Sequence, residues 1–164
     1  MGTKQISVQR FSVISSKKFD HVVAKLAAAV GHPDVRAMFK NIGLAKKYDE
    51  VEKIIQPGVG PTGLMEFMRF DHGGVLRKDH GEKAPRVMRF LIGNPLIMKK
   101  MVEHVPDAGS YAPVTILVDE RKDGVHISYD TMVSLLTPYG NAEALEVARD
   151  LDAKVEAVLN DAAR

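Results

Sequence analysis

The string Asp71-His72-Gly73-Gly74 places a histidine beside a carboxylate and next to flexible backbone. Such residues are typical of general acid–base catalysis, and Asp130 offers a second carboxylate for the same histidine. Adjacent strand residues point to opposite faces, so Asp71 orients His72 only where the backbone turns. A polar strand end that enters a glycine turn explains the same string. A hydrolase-like or isomerase-like enzyme that uses a His/Asp pair therefore stands as an alternative hypothesis.

Metal binding is a further chemistry that these histidines suggest. His72 and His80 would approach each other if residues 73–79 formed a turn, and Asp71 or Asp79 would complete a three-ligand set. The spacing matches no established ligand pattern. The sequence therefore predicts no metal site.

A small-molecule site is the leading hypothesis. Gly93-Asn94-Pro95 opens a predicted helix, whose free amide donors can hold a phosphate or carboxylate, with Arg89 nearby. Asn94 acting only as a helix cap explains the same residues. Asp130 lies on a partly apolar strand face, where it lines a pocket or faces water. The predicted ligand-binding residues, in a pocket between sheet and helices, are Arg89, Asn94, His72 and Asp130.

Methionines are frequent in the same regions. They stand at Met65, Met68, Met88, Met98, Met101 and Met132. Their soft side chains suit an apolar ligand, but they also fill gaps in ordinary protein cores. Core packing is the favoured interpretation, and no cofactor is predicted.

Composition excludes several other classes. The chain has 164 residues, which suits a single domain over 1–164. It contains no cysteine, so disulfides and thiolate chemistry are excluded. The net charge of +2 gives no global positive field, and no nucleic-acid partner is expected. Without a long apolar segment or a signal-like start, we expect a soluble, cytoplasmic protein with no membrane partner.

The periodicity of apolar residues predicts five strands. They cover residues 5–15, 64–70, 86–92, 114–118 and 125–135. The connection over residues 71–85 contains two glycine turns and is interpreted as a short ribbon.

Helical patterns fill most of the remaining chain. A first helix is predicted from a Ser16 cap to Gly31, two short helices over 32–56, a helix from Asn94 to near Pro106, and a last helix after Asn141. Residues 57–63 are rich in glycine and proline and form a loop. Because the strands are clustered rather than alternating with helices, we expect an α+β fold with an antiparallel sheet and helices on one face.

The junction LIGNPLIMKKM, the segment YAPVTILVDERKDGVHISYD and the closing helix together resemble the bacterial domain-of-unknown-function 302 family. Gly93, Asn94 and Pro95 match the junction that its members often carry. The resemblance implies a TATA-binding-protein-like β-α-β(4)-α topology with an extra helical insertion at about 32–63. It also implies a homodimer, and it implies no established reaction. A structural or interaction module without a ligand therefore remains a further alternative.

Overall fold

Five antiparallel strands form one sheet in the computed structural model, which describes residues 2–164. Across the sheet the strands lie in the order β1-β5-β4-β3-β2. Their bounds are Arg10–Ser15 (β1), Met65–Asp71 (β2), Val87–Gly93 (β3), Val114–Arg121 (β4) and Gly124–Asp130 (β5). The α+β class and the antiparallel sheet predicted from the sequence are confirmed. The TATA-binding-protein-like topology stays a prediction.

Seven α-helices accompany the sheet within residues 2–164. They are Phe19–Ala29 (α1), Val35–Leu44 (α2), Tyr48–Ile55 (α3), His72–His80 (α4), Pro95–Val102 (α5), Met132–Leu136 (α6) and Ala142–Ala163 (α7). None of these helices combines the length and apolarity needed to cross a bilayer. The assignment of the whole chain to one domain, with 32–63 as an insertion, stays a prediction.

One face of the sheet forms the core with α1 and α7. Alternate residues of the central strands, such as Phe90, Ile116 and Ile127, are buried on this face. The apolar stripe of α7 packs against them, because its alanines and larger residues recur at helical spacing and Ala148 and Val155 are fully buried. Helix and sheet therefore bury their apolar sides against each other.

The opposite face of the sheet, which includes Ile14, Arg89 and Phe70, is partly open to solvent. Ile14 is 55% exposed and Phe70 is 37% exposed. Both belong to the outer strands β1 and β2. Apolar surface therefore remains uncovered at the two edges of this face.

A second, smaller apolar cluster joins α2 and α3 to the start of β2. Met38, Ile55 and Met65 are its buried members. Two glycines bring the segments together, because the backbone of Gly31 lies against that of Gly60 and leaves no space for a side chain. The amide groups of both glycines donate to the carbonyl oxygen of Leu64, at 2.9 Å each.

Residues 71–85 form a helix and a loop rather than the predicted ribbon. The Asp71 carboxylate accepts a hydrogen bond from the Gly74 amide at 2.8 Å and so caps α4. Gly81, with a φ of 81°, ends that helix. The glycines that suggested two turns therefore lie in the first turn of a helix and at its end.

The last predicted strand is also shorter than expected, because residues 132–136 form α6. Its first amides, Met132 and Val133, donate to the buried Asp152 carboxylate at 2.8 and 3.0 Å. The Tyr129 hydroxyl donates to the same carboxylate at 2.6 Å. Burial and the neighbouring Asp152 raise the pKa of Tyr129 far above its usual value. A carboxylate supplied by α7 thus starts this helix.

The predicted helix ends differ from the observed ones at two places. Lys18, rather than Ser16, precedes α1, and it makes no side-chain cap. Helix α5 ends at Val102, several residues before Pro106. In contrast, the predicted caps Asn94 and Asn141 are confirmed, since each side chain accepts a hydrogen bond from the first turn of its helix.

Candidate functional site

An apolar cavity of about 310 Å³ lies between α2, the sheet edge and α5. We call it the apolar cavity. Its wall consists of Val35, Phe39, Phe67, Met68, Leu91, Gly93, Asn94, Pro95, Ile97, Met98, Met101, Ala112, Pro113, Val114 and Leu151. Phe39 and Met68 are each 51% exposed, so they mark where the cavity meets solvent. The wall contains no charged side chain.

A bulge in β2 adds Phe67 to this wall. Glu66 pairs with Ile92 and Met68 pairs with Leu91, so Phe67 is the extra residue between them. Its ring lies 6.2 Å from that of Phe39, measured between centroids. A Cβ at Gly93 would lie 3.5 Å from the Phe67 ring, which is an ordinary van der Waals contact. The bulge therefore places this aromatic ring in the cavity wall.

Asn94 is the predicted ligand-binding residue that does line the cavity. Its Oδ1 accepts a hydrogen bond from the Leu96 amide, and its Nδ2 donates to the Gly63 carbonyl, both at 2.9 Å. These bonds fix the start of α5 against the loop over residues 57–63. Because both polar atoms are engaged, Asn94 contributes to the shape of the cavity rather than a free polar group.

Arg89 lies on the open face of the sheet, outside the cavity wall. One guanidinium nitrogen donates to the Thr115 hydroxyl at 3.1 Å, and the guanidinium lies 5.9 Å from the Phe70 ring centroid. Its Nε is buried and has no hydrogen-bond partner within residues 2–164. Arg89 is therefore held among the side chains of β2 and β4.

Asp71 and His72 are adjacent but do not act on each other. The Asp71 carboxylate binds the Arg77 guanidinium at 2.6 Å and the Gly74 amide at 2.8 Å. These hydrogen bonds, the Arg77 one first, lower the pKa of Asp71. The His72 ring instead stacks on Phe70, with centroids 6.0 Å apart and planes within 4°.

Asp130 lies at the other side of the sheet from His72. It forms a two-point ion pair with Arg10 of the edge strand β1, at 2.6 and 2.8 Å. His72 follows β2, the opposite edge strand. The structure therefore brings neither predicted carboxylate into an acid–base pair with His72.

No group of three metal-ligating side chains is present in the part of the chain that the structure describes. His80 lies 3.3 Å from the carboxylate of its neighbour Asp79, at the exposed end of α4. The turn that would have joined His72 to His80 is a helix, so the two residues lie at its opposite ends.

Sequence reasoning missed the aromatic residues of the cavity. Phe39 lies in the region of the two short helices predicted over 32–56 and was not singled out. Phe67 stands at a position that strand alternation cannot assign, because a bulge interrupts it. Met68, Met98 and Met101 did carry a signal for an apolar ligand, although core packing was the favoured interpretation. Met101 is both buried in the core and part of the cavity wall.

The fold and this site define an α+β protein with an apolar cavity at one edge of an antiparallel sheet. The chain belongs to the family described as domain of unknown function DUF302, whose model matches residues 40–162. It is similar to the crystal structure of an uncharacterized conserved DUF302 protein from Bacillus stearothermophilus. That similarity has a TM-score of 0.64 at 13% identity, and it covers 94% of this chain and 98% of the other. No curated protein matches the chain.

Proposed function

We propose that this protein binds an uncharged or weakly polar small molecule in the apolar cavity. The observation that carries the proposal is a wall made almost entirely of carbon around about 310 Å³ of space. Cavities of small-molecule sites begin at about this size. An apolar cavity excludes ordered water, because it offers water no hydrogen-bond partners, and so favours apolar occupants.

The wall also limits what the ligand can be. Leu91, Ile97 and Met98 offer only dispersion contacts, and the polar atoms of Asn94 already have partners. A charged group inside the cavity would lose its hydration without compensation. A polar end of the ligand must therefore lie at the mouth, beside Phe39 and Met68.

Straight-chain alcohols of increasing length test this proposal. Each buried methylene contributes about 0.8 kcal/mol, so affinity should rise about fourfold per carbon and then level off once the cavity is full. Isothermal titration calorimetry of the series measures both the slope and the break. No binding, or an equal gain at every length without a break, would contradict an apolar site of limited size.

A cavity-filling substitution supplies the matched comparison. Met98→Trp places an indole in the cavity and should weaken binding of the longest alcohol at least tenfold. Overpacking itself costs about 1 to 3 kcal/mol of stability, so a thermal melt must accompany the titration. Val75→Trp adds the same side chain at a position that is 72% exposed and outside the wall. That variant should bind like the parent protein.

We further propose a homodimer in the cytoplasm. The resemblance to the family supports the dimer, and the exposed Ile14, Met68 and Phe70 supply apolar surface for it at the edges of the open sheet face. A chain without cysteine needs no disulfide to fold, so a reducing compartment suits it. Sedimentation equilibrium tests the dimer: a monomer at all concentrations would refute it. Localisation of a tagged chain in cells tests the compartment.

A further inference from the structure

A second concave region, of about 840 Å³, lies at the end of the sheet between α1, the loop before β3 and the β4–β5 turn. We call it the basic cleft. Six cationic side chains line it: Lys17, Lys18, Lys83, Arg86, Arg121 and Lys122. Only two carboxylates, Asp20 and Glu120, face them there. The excess of positive over negative side chains in the cleft is larger than the net charge of the entire chain, which is +2.

The two arginines of the cleft already have partners. Arg86 binds Asp20 through its guanidinium, which also lies 4.2 Å from the centroid of the Phe19 ring. Arg121 binds Asp119, two residues earlier on β4. Both arginines therefore help to build the walls, and the Asp20 charge is offset by Arg86.

The four lysines have no such partner. None of Lys17, Lys18, Lys83 and Lys122 forms an ion pair within residues 2–164. They come from three separate segments of the chain, so helix or strand periodicity does not explain their convergence. A cleft lined by charges of one sign concentrates the field and attracts counter-ions.

Hydrogen bonds order the wall of the cleft at two places, beside Lys17 and at Arg86. The Ser15 hydroxyl donates to the Ala163 carbonyl at 2.6 Å and accepts from the Lys17 amide at 3.1 Å, which ties the start of α1 to the end of α7. Across the cleft, the amide of Arg86 donates to the Glu120 carboxylate at 3.1 Å. A preformed wall lowers the entropic cost of holding a ligand.

We propose that the basic cleft binds a small polyanion that carries several phosphate groups. Lysine ammonium groups bind phosphate as mobile point charges, and four of them around one cleft can reach successive phosphates. Phe19, the aromatic residue of the cleft, is buried beneath Arg86 and offers no stacking surface. The phosphates of the ligand, rather than an apolar portion, therefore supply the binding energy.

Inorganic triphosphate is the probe that tests this inference. The full chain should bind it in calorimetry at low salt. The variant Lys17→Gln, Lys18→Gln, Lys83→Gln and Lys122→Gln should lose at least tenfold in affinity. A control variant removes four exposed lysines outside the cleft: Lys40→Gln, Lys78→Gln, Lys100→Gln and Lys154→Gln. This control variant has the same net charge as the cleft variant but keeps the cleft lysines. It should therefore retain the affinity of the parent to within about threefold.

Three results would overturn the inference. The parent protein fails to bind triphosphate, or the two quadruple variants lose affinity equally, or the cleft variant retains it. Circular dichroism checks that both variants are folded. The single substitution Lys83→Glu, in an exposed loop, supplies a second test, and Lys40→Glu is its control. Alcohol binding should be unchanged in the cleft variant, which separates this inference from the apolar cavity.

Discussion

The apolar cavity and the basic cleft differ in how their walls are built. The cavity is shaped by backbone irregularities, namely the bulge at Phe67 and the glycine contact between the end of α1 and the loop over residues 57–63. The cleft is instead lined by lysines that lie in the connections between helices and strands. Packing thus creates the first site and charge creates the second. The two should therefore respond to different perturbations.

The largest effect on stability is expected from the buried hydrogen bonds to Asp152, which belong to the core that both regions share. In Asp152→Ala the Tyr129 hydroxyl and the amides of Met132 and Val133 lose their buried acceptor. The expected loss is about 3 to 5 kcal/mol of unfolding free energy, measured by chemical denaturation. Asp150→Ala, at an exposed position of the same helix, is the control and should change stability by less than about 0.5 kcal/mol. Equal losses of unfolding free energy in both variants would contradict the role of Asp152 as a buried hydrogen-bond acceptor.

A glycine substitution should separate the cavity from the cleft. A Cβ in Gly60→Ala would lie 2.7 Å from the Cα of Val30, at the end of α1. The loop over residues 57–63 must therefore shift, and its Gly63 carbonyl holds Asn94 of the cavity wall. We expect a loss of about 2 to 3 kcal/mol and at least tenfold weaker alcohol binding, with triphosphate binding retained.

Gly43→Ala is the control for that substitution. Gly43 lies within α2, and a Cβ there meets nothing within 4 Å. It should be neutral or stabilise the protein by about 0.5 to 1 kcal/mol, because alanine favours helix. If Gly60→Ala left alcohol binding intact, the cavity would not depend on the glycine contact.

Alkaline pH should lower the unfolding free energy through Tyr129, which donates a hydrogen bond to Asp152 in the core. Its pKa in the folded protein is raised above the unfolded value of about 10, so its contribution to stability is complete below that pH and is lost as the pH rises. Above about pH 10 this group should lower the unfolding free energy by up to about 1.4 kcal/mol per pH unit.

Urea denaturation at several pH values measures this slope. Tyr129→Phe should reduce it, whereas Tyr48→Phe, at an exposed position on α3, should retain the parent slope. A Tyr129→Phe slope equal to that of the parent would show that this hydroxyl does not govern the alkaline response.

Salt should give the smallest effect that still distinguishes the two regions. Between about 20 and 200 mM sodium chloride, triphosphate affinity should fall about tenfold, because exposed charges are screened beyond a Debye length. Alcohol affinity should change by less than about twofold, since the cavity wall carries no charge. Parallel titrations at the two salt concentrations measure both. A salt-sensitive alcohol site would contradict the comparison.

Local patterns predicted most of the fold. Alternation located the five strands, and the caps Asn94 and Asn141 marked two helix starts, because these signals lie within a few residues of what they determine. Helix α6 was missed because its cap, Asp152, comes from a distant segment. Asp71 was interpreted as a catalytic candidate, whereas its carboxylate caps α4 and binds Arg77.

The sites were less predictable than the fold. The cavity depends on Phe67, whose orientation follows from a bulge, and the cleft depends on lysines that lie far apart in the sequence. The net charge of +2 gave no indication of the excess of positive charge around the cleft. Cavities and charge clusters arise from tertiary packing, so neither composition nor periodicity could reveal them.

Methionine methyl resonances offer the most direct measurement of the central claim. The chain has eight methionines, of which Met68, Met98 and Met101 line the cavity, whereas Met132 is buried elsewhere in the core. In a protein with labelled methionine methyl groups, titration with 1-octanol should shift the three cavity signals and leave Met132 unchanged. Shifts at Met132 without shifts at Met98 and Met101, or no shifts at all, would contradict a ligand site in the apolar cavity.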